Sequence, residues 1–248
     1  MTSRVVFQEE MEKLNGEVAQ MAGFAKDAIV KAVQCVVDRD PSLGPEVERL
    51  DGQAYALEQA IEKHCLDVIA LHTPVAGDLR TVSSCLKIIT DLDRIGRYAS
   101  DIVEVYDSLQ GDWDFPGHVN LTHMAELVVG MVNDATQSFI DRDVDLARGL
   151  FARDDVVDAL YDSNFRALFT HMIEDPPKIG VGINWILVSR YLERIADHSC
   201  NIGERVVYMV TGDRLNPKDR KKAKHNGEAP LHPSDDGPGH STHDLEEK

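Results

Sequence analysis

The chain has 248 residues, 43% of them hydrophobic, and a formal net charge of −17. That is enough apolar material for one large or two small cores. The charge repels phosphate backbones and anionic headgroups, which argues against nucleic acid or direct membrane binding and favours cations or a basic protein partner.

The first residues, MTSRVVFQEEMEKL, turn acidic at once and contain no apolar signal region, so the expected location is cytoplasmic. No stretch approaches the roughly 20 apolar residues that span a bilayer. Cys35, Cys65, Cys85 and Cys200 form no C-x-x-C pair and fall within helical patterns, as expected of reduced, buried thiols.

Periodicity is helical almost throughout, and six helices are predicted near 5–38, 43–72, 78–109, 119–140, 144–173 and 179–211. DRDPSLG (38–44) closes the first, because Pro41 disfavours a helical residue before it. HTPVAGD (72–78) closes the second and offers Asp78 as a cap for the third. In the third, Val82, Cys85, Leu86, Ile89, Leu92, Gly96, Ala99, Val103 and Tyr106 recur at three- and four-residue steps, a seam of bundle type. Small residues at Gly96 and Ala99 let a neighbouring helix come close.

QGDWDFPGHVN (110–120) reads as a linker, taken as 110–118, and DRDVD (141–145) and EDPPK (174–178) separate the fourth, fifth and sixth helices. The sixth helix repeats the seam with Ile186, Leu192, Ala196, Ile202, Val206 and Met209. From 213 to 248 the chain is polar and rich in Pro and Gly, the composition of a disordered tail. Its four histidines (His225, His232, His240, His243) are irregularly spaced, as in a solvating tail.

The chain also repeats itself. DRD occurs at 38–40 and 141–143, Asp51 and Asp154 lie 103 residues apart, and Asp93 and Glu193 lie 100 apart. A period near one hundred residues means two related modules. With short links, each trio of helices forms an antiparallel three-helix bundle. The predicted fold is therefore all-α: two tandem three-helix bundles over 5–109 and 119–211, related by internal duplication.

Glu193 and Asp197 are one turn apart on a helical face, and Asn201 and Glu204 continue the line. Asp154, Asp158 and Asp162 make a second line on the preceding helix. If packing brings these lines together, the oxygens suit a hard cation; otherwise they form a solvated acidic face. The chain lacks Glu-x-x-His, a phosphate loop, a G-x-S-x-G elbow and H-E-x-x-H, so no catalytic signature is present. His198, beside Asp197, reads as structural.

PVAGDLR (74–80), KIITDLDRIGRYASDI (87–102) and YLERIADHSCNIGERVVYMVTG (191–212) resemble the PhoU family of phosphate-uptake regulators, over about residues 5–212. The family pattern acidic-R-I-x-D-x-A-x-N-I ends the third and sixth helices, and the second copy follows it closely. The resemblance implies two three-helix bundles, commonly a homodimer, with no catalytic reaction. It implies restraint of the phosphate ABC transporter through its ATPase subunit, and signalling of phosphate status to a sensor histidine kinase. It also implies a divalent or ferric ion (Fe, Mn, Mg or Zn) on the acidic motifs, and hence Asp154, Asp158, Glu193 and Asp197 as metal ligands. In the first copy Asp93 matches, but Arg97 and Tyr55 stand where Asp197 and Asp158 stand in the second. Arg97 is expected to pair with Asp93 or Asp101 instead. Two rival readings are a metal-dependent hydrolase or metal-storage bundle, and a regulator of the same fold serving another ion transporter.

Overall fold

The computed structural model describes residues 3–108 and 119–215. The expected linker, and the expected tail beyond 215, lie outside the described residues. The described chain is six long helices: α1 (Ser3–Val37), α2 (Gly44–His72), α3 (Gly77–Ser108), α4 (Leu121–Asp141), α5 (Val144–Glu174) and α6 (Ile179–Thr211). Short 3-10 turns at Pro41–Leu43 and Pro176–Lys178 lead into α2 and α6. No described residue is in a β-strand.

The repeated DRD works the same way twice. Its arginine, Arg39 or Arg142, takes a left-handed backbone with φ 58° or 56° and stops the preceding helix. Its last aspartate caps the next helical turn: Asp40 accepts from the Ser42 amide, and Asp143 from the amides of Asp145 and Leu146. Asp78 does not cap α3, as the spacing had suggested; it lies in the first turn, because the helix already begins at Gly77.

Helices α1–α3 form one bundle and α4–α6 the other. The copies join through α3 against α6, with a further contact between α1 and α4. The order α2, α3, α6, α5 thus makes one layer, backed by α1 and α4. Both seams reach the core, but α3 is buried over a wider arc than one seam. Ile88, Ile95 and Ile102 are fully buried as well, because α1, α2 and α6 all pack on this helix.

The expected close approach at Gly96 is present: a Cβ there would lie 3.1 Å from Asp51 Oδ1 and 3.7 Å from Ala54 Cβ. In the second bundle Ala196 and Ser199 are buried, but the tightest approach to neighbouring backbone falls at Gly203. A Cβ at Gly203 would lie 2.9 Å from the Ala147 carbonyl oxygen, which only glycine permits.

All four cysteines are buried and free. Burial, with Asp107 and Asp40 nearby, pushes the Cys35 thiol up to about 11. No helix among the described residues is long and apolar enough to cross a membrane.

Candidate functional site

The seam between the copies fixes how α3 and α6 present their side chains. Asp91 Oδ1 of α3 lies 2.8 Å from His198 Nδ1 of α6 and accepts from Asn201 Nδ2 at 3.3 Å. Tyr98 of α3 stacks on Tyr191 of α6, with ring centroids 5.8 Å apart, and lies 5.7 Å from the His198 ring. The two contacts occupy matching places, because Asp91 corresponds to Tyr191 and Tyr98 to His198 at the hundred-residue offset. The copies are therefore joined about an approximate two-fold, with α3 antiparallel to α6. Sequence reading assigned His198 a structural role, which this geometry explains. Its partner Asp91 was missed, since nothing local marks a contact across 107 residues.

In the second copy three of the predicted residues, Asp158, Glu193 and Asp197, come together across α5 and α6. Burial raises the Glu193 carboxyl above its ordinary range; Asp197 and Asp158 push it the same way, against Arg190 and Arg194. Asp158 is thus close enough across the helix pair to act on Glu193. Asp154 is buried, 6% exposed. Glu193 Oε2 is buried with no hydrogen-bond partner, while Oε1 accepts from Arg190 Nη1 at 2.7 Å. Arg190 also lies over the Tyr161 ring, 5.6 Å from its centroid. Asp162, third in the predicted line, pairs instead with Arg166 at 3.7 Å.

The first copy is organised alike. Asp51 Oδ1 and Asp93 Oδ1 are buried without hydrogen-bond partners. Asp93 is raised by burial and by Asp51, against Arg97 and Arg94. Asp101 is raised by burial, Glu104 and Asp51, against Arg97. Glu58 is raised by burial, Asp93 and Glu62, against Arg94 and Arg97.

Two expectations change here. The nearest ion-pair partner of Arg97 is Asp51 of α2, at 4.0 Å, rather than Asp93 or Asp101 on its own helix. Gly96 explains this, since without a side chain it lets the Asp51 carboxylate reach the α3 surface. And a cation enters both clusters, not the first alone: Arg190 does in the second copy what Arg97 does in the first. The first copy has Thr90 at the place of Arg190, so the exchange shows only once the repeats and the helix packing are read together.

As placed, the carboxylates are not a ready ligand set. Among the described residues no three His, Cys, Asp or Glu side chains are arranged to hold a metal ion. The clusters are electrostatically loaded patches in which arginines partly offset several desolvated carboxylates.

A family model described as "PhoU domain" matches residues 18–105 and again 121–206. The Phosphate-specific transport system accessory protein PhoU homolog of Pseudomonas aeruginosa is 35% identical over 207 residues, spanning 83% of this chain and 86% of that protein. The homologue of the same description from Deinococcus radiodurans is 38% identical over 201 residues, 81% of this chain and 94% of the other. The crystal structure of PhoU from Pseudomonas aeruginosa superposes with a TM-score of 0.79, covering 84% of this chain and 100% of that one. The phosphate transport system regulatory protein PhoU from Streptococcus pneumoniae, at 24% identity, shares the fold with a TM-score of 0.78 over 85% of this chain and 99% of that one.

Proposed function

The chain belongs to the PhoU family, and from that premise we propose that it is a non-enzymatic, cytoplasmic negative regulator of high-affinity phosphate uptake and phosphate-starvation signalling. It works by contact with the ATPase subunit of a phosphate ABC transporter and with a sensor histidine kinase, as a homodimer. The observation that carries this reading is the extent of the likeness. Both copies match the family model, and relatives described as accessory proteins of phosphate-specific transport cover most of the chain. The physical character of the molecule agrees: a strongly acidic helical body suits recognition of basic surfaces.

The experiment is a pull-down of the purified chain with the ATPase subunit and the kinase at high and low phosphate. Retention of at least one of them, changing with phosphate, is the expected result. Retention of neither under any condition contradicts the reading.

The proposed metal ligands are Asp154, Asp158, Glu193 and Asp197 of the second bundle, for a divalent or ferric ion. The buried, unbonded Glu193 Oε2 and the raised Glu193 carboxyl support the assignment. A bound hard cation supplies positive charge to desolvated carboxylates. Arg190 occupies the other Glu193 oxygen, so binding through both oxygens displaces that guanidinium. Metal analysis of protein truncated after residue 215, which removes the tail histidines, has two expected outcomes. Glu193→Ala with Asp197→Ala loses most of the bound metal, whereas Asp93→Ala loses little. Full occupancy in the double variant, or equal occupancy of both bundles, contradicts the assignment.

A further inference from the structure

The second bundle carries an exposed apolar ridge that its fold does not require. On α5, Phe165, Phe169 and Ile173 succeed one another at four-residue steps, and on α6 so do Ile179, Ile183 and Leu187. All six are between 37% and 65% exposed. The helices are antiparallel across the short turn at Pro176–Lys178, so Ile173 stands level with Ile179, Phe169 with Ile183 and Phe165 with Leu187. The Arg190–Tyr161 contact confirms that register one turn further on. The aromatic rings run on from it: Tyr161 and Phe165 have centroids 6.4 Å apart, and Phe165 and Phe169 stack at 6.1 Å with an interplanar angle of 8°. An arginine and three rings thus hold the α5 side in one arrangement.

The first bundle is an internal control. At the repeat offsets the same six places hold Glu62, Leu66, Ala70, Leu79, Ser83 and Lys87. The same three-helix architecture therefore forms with two charges and a serine there. The apolar character of the second copy is not a folding requirement, and a contiguous exposed apolar surface of this kind marks an interaction site.

The charges around the ridge select its occupant. Asp101 and Glu104 of α3 act on Tyr191, one turn beyond Leu187, and Glu174 and Asp175 come directly after Ile173 at the other end. The nearby cations Arg166 and Arg190 are taken up by Asp162 and Glu193, and Lys178 is half-buried at the start of α6. The rim is thus acidic on a chain of net charge −17. A second copy would bring the same rim against it and be repelled, whereas a basic edge complements it. Eight residues of helix advance about 12 Å, the span of anchors at i, i+3 or i+4 and i+7 on one face of a partner helix.

We propose that the ridge of Phe165, Phe169, Ile173, Ile179, Ile183 and Leu187 is the docking site for an amphipathic helix of a partner protein, apolar on one stripe and basic along its edge. The proposal rests on the reading that this chain acts through protein contacts. Its test uses a synthetic helix, so its failure is distinct from failure of the transporter and kinase assignment.

The probe is a fluorescent leucine/lysine amphipathic peptide of about 14 residues, titrated by anisotropy against the full-length chain. Saturable binding is expected, weakened about tenfold by Phe169→Glu with Ile183→Glu. Leu66→Glu with Leu79→Glu, at two of the six corresponding first-bundle places, leaves it unchanged. Both pairs add the same negative charge, so attraction of the peptide to acidic surface in general would strengthen binding in both. That result, or equal weakening in both, overturns the proposal. If the glutamate pair disturbs folding by circular dichroism, Phe169→Ser with Ile183→Ser gives the same reading. Sedimentation velocity should show the same oligomeric state for wild type and ridge variant. Conversion of a dimer to a monomer by the ridge variant assigns the ridge to a second copy and overturns the proposal. Ridge-dependent pelleting with phosphatidylcholine vesicles does so in favour of a membrane.

Discussion

Replacing Gly203 with leucine lowers the unfolding free energy by about 3 kcal/mol, at the upper end of the usual cost of overpacking. The new Cβ would start 2.9 Å from the Ala147 carbonyl oxygen and 2.9 Å from Leu150 Cδ1. The first of these is backbone and cannot rotate aside, so α5 and α6 must separate along their shared contact. Gly149 is the control, since it sits on α5 with nothing within 4 Å of the position a Cβ would take. Gly149→Ala removes backbone freedom from the unfolded chain and stabilises by about 0.5–1 kcal/mol. Denaturant midpoints should move in opposite directions with unchanged slopes. If Gly203→Leu is neutral, the close helix approach is wrong.

Lowering the pH from neutral towards the ordinary carboxylate range raises the melting temperature. Glu58, Asp93, Asp101 and Glu193 are all held above their ordinary values, with burial the first cause in each case. For an acid whose folded value is raised, the native state binds the proton more tightly than the unfolded chain. Its favourable contribution is therefore complete below the unfolded value and is lost as the pH rises through the folded one. Each of these carboxylates therefore stabilises the fold less at neutral pH than in mild acid. Asp40 runs the other way, lowered by the Ser42 hydroxyl and amide, but it is exposed in a turn. Combining Glu193→Gln with Asp93→Asn should raise the melting temperature at neutral pH and flatten its rise on acidification. A melting temperature that falls steadily from neutral pH downward, or does not change in the double variant, contradicts this account of the clusters.

The helices were legible because each apolar seam repeats at helical spacing and each break carries its own signal, DRD twice and a proline pair once. The duplication was legible because aspartates recur at constant offsets. Burial around α3 was underestimated for a tertiary reason. One stripe is what a helix needs against one layer, but α3 meets α1, α2 and α6 together. Half of the electrostatic site was legible as well, since Glu193 and Asp197 share a helix face. The rest depended on register between helices. Arg190 reaches Glu193 within a single turn, yet its stacking on Tyr161 of α5 arises only from antiparallel packing. Arg97 finds Asp51 because Gly96 opens the way. Asp91 and His198 belong to different copies, and no local pattern could pair them.

The central claim, that this chain restrains phosphate uptake, is tested most directly by phosphate uptake in a strain lacking it, grown with plentiful phosphate. Uptake is expected to stay high and phosphate-starvation genes to stay on, and the full-length chain supplied in trans is expected to restore repression. Normal repression in the clean deletion strain would contradict the claim.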